Sequence, residues 1–300
     1  MFRILLLVVL VFLLARGVGW LIRKWLDAHS PARVVTKLIA EGYLDEPSFF
    51  AAANEKVRTG RPSRAQRQLI RDARVRRRDA YLAHCTPSPY QYLIIFLLAS
   101  VLGLVLETIY TFVAFGVVES RVGLVWGPFS PLYGLGAVLL TVCLWQVRSR
   151  PGWQVFLISA TLGGTLEQCA GWSLDHFAHL QSWTYLGLPD HITQWIAWRF
   201  LFMWGVIGLV WCRLIMPELI YRIGEPSTRG QAVVATFLTI FTVLDIALTL
   251  GCFWRAGQRH QGVPPQNPFE VYIDTHFDDR FMAETFENMR IGEDIPPAPR

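Results

Sequence analysis

The sequence predicts an all-α, polytopic helical membrane protein with about six transmembrane helices and a broken helix at 126–136. Three observations predict it. Hydrophobic residues make up 53% of the 300-residue chain and charged residues only 17%, where a soluble domain carries roughly 25%. Mean hydropathy is +0.34. Several windows of about 20 predominantly apolar residues are long enough to cross a hydrocarbon core.

The first apolar run, Ile4 to Ile22, is interrupted by Arg16 and followed by Arg23 and Lys24. No small-x-small cleavage site follows it. Residues 1–22 therefore read as an uncleaved anchor with its N-terminus outside. Residues 23–89 form a basic cytoplasmic loop, with 14 of the 28 Lys and Arg between Arg23 and Arg78. Such a block beside membrane spans points to anionic lipid and not to nucleic acid. Within it, Arg64, Arg67, Arg71, Arg74 and Arg78 fall on one helical stripe. Two readings stand: a surface helix in contact with anionic phospholipid, or a solvated face that enforces positive-inside orientation.

Residues 90–254 form a membrane domain of five spans, at 91–115, 127–147, 153–175, 194–215 and 231–253. The 116–126 loop holds only Arg121, and the 176–193 loop holds no Lys or Arg. The 148–152 turn holds Arg148 and Arg150, and the 216–230 loop holds Arg222 and Arg229. Alternate loops thus agree with a cytoplasmic basic loop, and both termini fall outside. The polar tail, 255–300, contains Phe269 to Met289, which reads either as one short amphipathic helix docked on the membrane domain or as a loose tail.

Two glutamates sit deep in apolar runs, in matching contexts: Leu102-Gly103-Leu104-Val105-Leu106-Glu107 and Leu162-Gly163-Gly164-Thr165-Leu166-Glu167. An ionised side chain at mid-bilayer costs about 2.5–3.5 kcal/mol on insertion scales. Both spans run in one direction, and each glutamate lies about 22 Å from the cytoplasmic side at 1.5 Å per residue. Arg199 and Asp245 fall at similar height, so a polar site of Glu107, Glu167, Arg199, Asp245 and Tyr133 is expected. The matching contexts also hint at a parallel repeat of helical hairpins, 91–147 and 153–215.

Trp126 to Gly136 holds Gly127, Pro128, Pro131 and Gly134. This composition interrupts a helix at membrane depth beside a cavity, or else Pro128 and Pro131 begin one. The outer region holds Trp172, Trp183, Trp195 and Trp198, as an interfacial belt requires. His176, His179 and His191 have no metal-ligand spacing. The five cysteines form no CxxC and read as packing residues. No GxxxxGK[ST], HExxH or GxSxG occurs, so nothing calls for a Walker-loop nucleotide, a catalytic residue, a metal or a cofactor.

Residues 91–290 resemble the Putative ABC-transporter type IV family, also called the CmpB family. The resemblance rests on LGLVLETIY at 102–110, VWGPFSPLYGLGA at 125–137 and LGGTLEQCAGWSLDHF at 162–177, and continues through NPFEVYIDTHFDD at 267–279 and FENM at 286–289. Ser130 stands where many relatives carry Cys. The resemblance implies a permease-like component of the bacterial cytoplasmic membrane, without an ATPase of its own. A separate cytoplasmic ATPase subunit is the implied partner, and a homo-oligomer is open. Two other classes stand beside it: an intramembrane enzyme acting on lipid or lipid-linked substrates, and a structural or regulatory membrane partner.

Overall fold

The computed structural model describes residues 31–53, 62–116, 120, 122–178, 180–226, 228–287 and 289–291. The expected anchor over 1–22 lies outside them, as do Arg121 and His179. The described chain is almost wholly helical, as the sequence predicts. It divides into two compact units, one ending at Thr86 and one beginning at Pro87.

The first unit contains α1 (Pro31–Ala40), α2 (Glu46–Ala51) and α3 (Arg64–His84). Its small core is Leu38, Leu44, Phe49 and Ala73, with Leu69 and Ile70 packed against it. Helix α3 starts where Ser63 and Gln66 form a reciprocal capping box, which satisfies two otherwise orphaned N–H groups. The Gln66 amide also donates to the Phe49 carbonyl at 3.1 Å, and Arg77 pairs with Glu41 at 2.6 Å. Of the arginine stripe, Arg64, Arg67 and Arg71 are exposed while Arg74 and Arg78 are half-buried.

The second unit is built from two helical hairpins and a long fifth helix. Helices α4 (Pro89–Phe115) and α5 (Pro131–Trp145) form the first hairpin, and α6 (Gly152–Ala178) and α7 (Trp198–Ile223) the second. Helix α8 (Arg229–His260) follows. Helix α4 begins with a Ser88–Gln91 capping box and Pro89 in its first turn, where a missing N–H costs nothing. Gln91 is fully buried and donates to the Ile220 carbonyl at 2.9 Å, tying α4 to the end of α7. Helix α7 widens into a π-turn at Trp211–Ile215, just before Pro217. Proline cannot donate to the preceding turn, and a π-bulge absorbs that interruption.

Three helices are long and apolar enough to cross a membrane: Pro89–Val113, Trp198–Ile223 and Arg229–His260. The expected count of six is not reached on these criteria. Helix α5 has 15 residues, a rise of about 22 Å, short of a core of about 30 Å. Helix α6 has the length, but Gln154, Glu167 and Gln168 reduce its apolarity. It packs against α5, α7 and α8, so its polar residues have protein rather than lipid beside them. The lipid-facing surface is legible in exposed apolar side chains, such as Leu102, Val105 and Phe112 on α4 and Val233, Phe237 and Ile240 on α8.

The tail docks on the bundle as two helices rather than the single helix expected. These are α9 (Pro268–His276) and α10 (Asp279–Thr285). Between them Asp278 accepts from the Phe281 N–H at 2.8 Å and so starts a new helix. Ile273, Phe277, Met282 and Phe286 bury themselves against Leu248, Cys252 and Phe253 of α8. Strands β1 (Leu180–Gln181) and β2 (Arg290–Ile291) pair antiparallel, and the Ser120 hydroxyl donates to the Thr285 carbonyl at 2.8 Å. The tail therefore joins the connections that follow α4 and α6, at one end of the bundle.

An ionic clamp fixes the tail. Arg255 is 1% exposed and donates to both Asp274 carboxylate oxygens, to Gln258 and to the Val263 carbonyl. Arg259 bridges Asp274 and Asp279. Burial pushes the Asp274 carboxyl up, but hydrogen bonds from Arg255 and Arg259 outweigh it and hold the group below its usual value. The clamp's contribution is thus present above the ordinary carboxylate range and lost as pH falls through the lowered value. Replacing Arg255 by Ala strands a buried carboxylate, a class of change that costs about 3–5 kcal/mol. The expected outcome in Arg255→Ala is rapid amide exchange over 268–291 while α4 and α6 stay protected; unchanged exchange in the tail would refute the clamp.

Candidate functional site

The two glutamate motifs share a spacing whose purpose the structure explains. In each, a glycine precedes the glutamate by four residues, so both lie on one face of the helix. A Cβ at Gly103 would overlap the Tyr133 side chain of α5, and a Cβ at Gly163 would overlap Trp204 of α7. Each glycine admits an aromatic ring from the next helix of its hairpin. Each ring then lies along the helix toward the glutamate one turn on. The Trp204 Nε1–H donates to Glu167 Oε1 at 3.0 Å, and the Tyr133 hydroxyl lies beside Glu107.

The two hairpins meet through these aromatics. A Cβ at Gly136 of α5 would stand 3.1 Å from the Trp204 ring and 3.3 Å from Leu166. Tyr185, from the connection between α6 and α7, stands beside the Glu167 carboxylate, and Tyr110 and Glu107 are in its electrostatic surroundings. Tyr133 is similarly surrounded by Glu107, Tyr185 and Glu167. Glu167 is 7% exposed, and its Oε2 has no hydrogen-bond partner among the described residues. The structure thus brings Glu107, Glu167 and Tyr133 together and adds Trp204, Tyr185 and Tyr110.

Arg199 does not pair with either glutamate in the geometry described. Its Nε donates to Asp190 Oδ2 at 3.0 Å, its Nη2 lies 2.6 Å from Oδ1, and its backbone N–H donates to Oδ2 at 3.0 Å. Ala197, at the start of α7, has no side chain able to cap, so Asp190 supplies the missing acceptor from the loop. Hydrogen bonding from Arg199 holds the Asp190 carboxyl below its ordinary value. Tyr110 lies within the electrostatic surroundings of Arg199, which places this ion pair at the border of the cluster.

Asp245 has a different task. Residues 122–130 are not helical, and irregular backbone at membrane depth must find partners in the protein. Asp245 is fully buried on α8 and accepts the Trp126 N–H at 3.1 Å. Thr249, one turn on, accepts the Val125 N–H at 3.0 Å. The Ser130 N–H donates to the Ser100 carbonyl of α4 at 3.2 Å. The expected helix break is therefore a non-helical segment that ends where Pro131 opens α5. Gly127 makes room for the Phe129 ring, and Gly134 for Ser100 and Phe96. Pro128 lies within the irregular segment.

Among the described residues no group of three or more His, Cys, Asp or Glu side chains is placed to hold a metal ion. The site's chemistry is that of carboxylates, phenols and an indole N–H, enclosed by two hairpins and bordered by one ion pair.

The family model described as Putative ABC-transporter type IV matches residues 94–250, more than half of the chain, and the chain belongs to that family. No curated protein and no solved structure matches it. The family and the apolar helices together make this a membrane protein of ABC-transporter type.

The geometry separates two kinds of substitution. Gly163→Ala forces a methyl group into the Trp204 ring, an overpacking that costs about 1–3 kcal/mol. Gly187→Ala meets open space and is expected to be neutral. Asp245→Ala leaves the Trp126 N–H without its acceptor, a loss of about 1–3 kcal/mol, while Asp245→Asn keeps an acceptor and most of the stability. Thermal unfolding of the four variants in one detergent checks the order; equal melting of Gly163→Ala and Gly187→Ala would contradict the ring-over-glycine contact.

Proposed function

We propose that the chain is the membrane-embedded, permease-type component of an ABC transport system in a bacterial cytoplasmic membrane, with ATP hydrolysis on a separate cytoplasmic chain. The family membership carries this reading. The sequence has no Walker loop, so a permease of this type needs a partner for nucleotide hydrolysis. Residues 23–89 and 216–230 offer the docking loops. Six spans with both termini outside remain the proposed topology, and the domain limits of 22, 89 and 254 go with it. The Arg64, Arg67, Arg71, Arg74 and Arg78 stripe faces anionic lipid in this arrangement.

The carboxylate cluster is the proposed working site. It joins one helical hairpin to the other, and it is where a change in either hairpin alters a charged contact. A purely structural role is the second reading, favoured by the close seating of Tyr133 on Gly103 and Trp204 on Gly163. Purification of the full chain from its native membrane in mild detergent is expected to bring along a cytoplasmic ATPase; a chain that purifies without one under several mild conditions would oppose the transporter reading. Glu107→Gln with Glu167→Gln separates working site from clamp. Full membrane abundance with lost function supports the working site, and function that tracks abundance alone supports the clamp.

A further inference from the structure

The cluster carries more acceptors than this chain can neutralise. From α4 it receives Glu107 and Tyr110, from α5 Tyr133, from α6 Glu167, from the connecting loop Tyr185, and from α7 the Trp204 indole. The bordering cation, Arg199, is held by Asp190 through its guanidinium and its backbone. That pair is neutral by itself. Two carboxylates remain, and Glu167 Oε2 is buried without a hydrogen-bond partner among the described residues. Two like charges in one low-dielectric site disfavour full ionisation of both, and an uncompensated buried charge is costly.

A bulky cationic ligand does not fit this packing. The space beside Gly103 and Gly163 is filled by the Tyr133 and Trp204 side chains. A groove of about 280 Å³ does open between α4 and α8, lined by Tyr90, Ile94, Gly230 and Val234. Tyr90 and Glu107 are 17 residues apart on one helix, about 25 Å at 1.5 Å per residue, so that groove belongs to the other end of α4. The cation that enters a closed cluster of hydroxyls and carboxylates is a proton.

We propose that Glu107 and Glu167, with Tyr133 and Tyr185 between them, form a proton-binding site that holds one exchangeable proton per chain. This deepens the working-site reading and rests on the two glutamates acting together. The proton resides on one carboxyl oxygen, leaving the other glutamate ionised. A tyrosine hydroxyl passes it by accepting one proton and releasing its own, so each transfer leaves the phenol neutral. The two carboxyl groups then titrate as a pair, with values that belong to the pair and not to either residue.

Infrared difference spectroscopy of the full chain in zwitterionic nanodiscs tests this, in H2O and D2O across the pH range. One protonated-carboxyl band per chain is expected at neutral pH. In Glu107→Gln the remaining acid no longer faces a like charge, so its titration should move to lower pH by more than about one unit; Glu167→Gln should move Glu107 the same way. The double variant should lose the band. Absence of the band in the wild type, or single variants that leave the other titration unmoved, would overturn the proposal. A band that survives in the double variant would assign the proton to Asp245 and overturn it equally. Tyr133→Phe, which changes no charge, covers the case of a variant that fails to fold: it should shift the band frequency, and an unshifted band counts against the site. The readout is independent of transport. A proton site with no copurifying ATPase, or an ATPase partner with both carboxylates ionised, would separate the failure of one reading from the failure of the other.

Discussion

The second unit depends on seating a carboxylate in an apolar setting by giving it an aromatic donor. That contact requires a glycine four residues earlier, because only a missing Cβ lets the ring lie flat along the helix. Gly163 with Trp204, and Gly103 with Tyr133, meet this requirement in the two hairpins. Much else follows from it. The hairpin partners must cross closely at those glycines, as they do again where Gly205 meets Phe156 and Gly208 meets Ser159. In lipid, where apolar burial between helices gains little, such close approach and polar contact are what hold helices together.

The same rule governs the backbone. Helix α5 is too short to cross a hydrocarbon core, and the non-helical segment before it makes up the distance. Its N–H groups are received by Thr249 and Asp245, one turn apart on α8. Asp245 is therefore understood through a peptide group rather than through a counter-ion. Asp190 does likewise at the start of α7, where Ala197 has nothing to offer. Three of the acidic residues in this unit thus serve N–H donors: an indole for Glu167, and backbone amides for Asp190 and Asp245.

Hydropathy made the helical class and most of the helices of residues 87–300 legible, and the equal spacing of glycine and glutamate pointed to the site. Depth alone, however, could not assign partners. Arg199 and Asp245 were expected with the glutamates because they lie at similar height. Depth leaves out the unpaired peptide groups at helix starts and irregular segments, and those drew Asp190 and Asp245 elsewhere. Trp204 went unnoticed because tryptophan near a membrane surface reads as interfacial belt, and only the fold shows its N–H turned inward, 37 residues from its acceptor. The tail's clamp was equally hidden. Arg255 lies at the end of an apolar run and Asp274 in a polar tail, and nothing in either segment names the other.

The docking of the tail has a consequence for how the molecule is assembled. Ser120 meets Thr285, and Leu180 meets Ile291, so the connections that follow α4 and α6 reach their final arrangement only once residues 268–291 are present. Each hairpin can form on its own from neighbouring sequence, but this end of the bundle cannot be closed early. A molecule in which either hairpin has inserted in the wrong sense presents no matching edge to β2 and no carbonyl partner to Ser120. The last elements to be made thereby act as an inspection of the earlier ones, and the Arg255–Asp274 pair is the fastener that closes only on a correctly threaded chain.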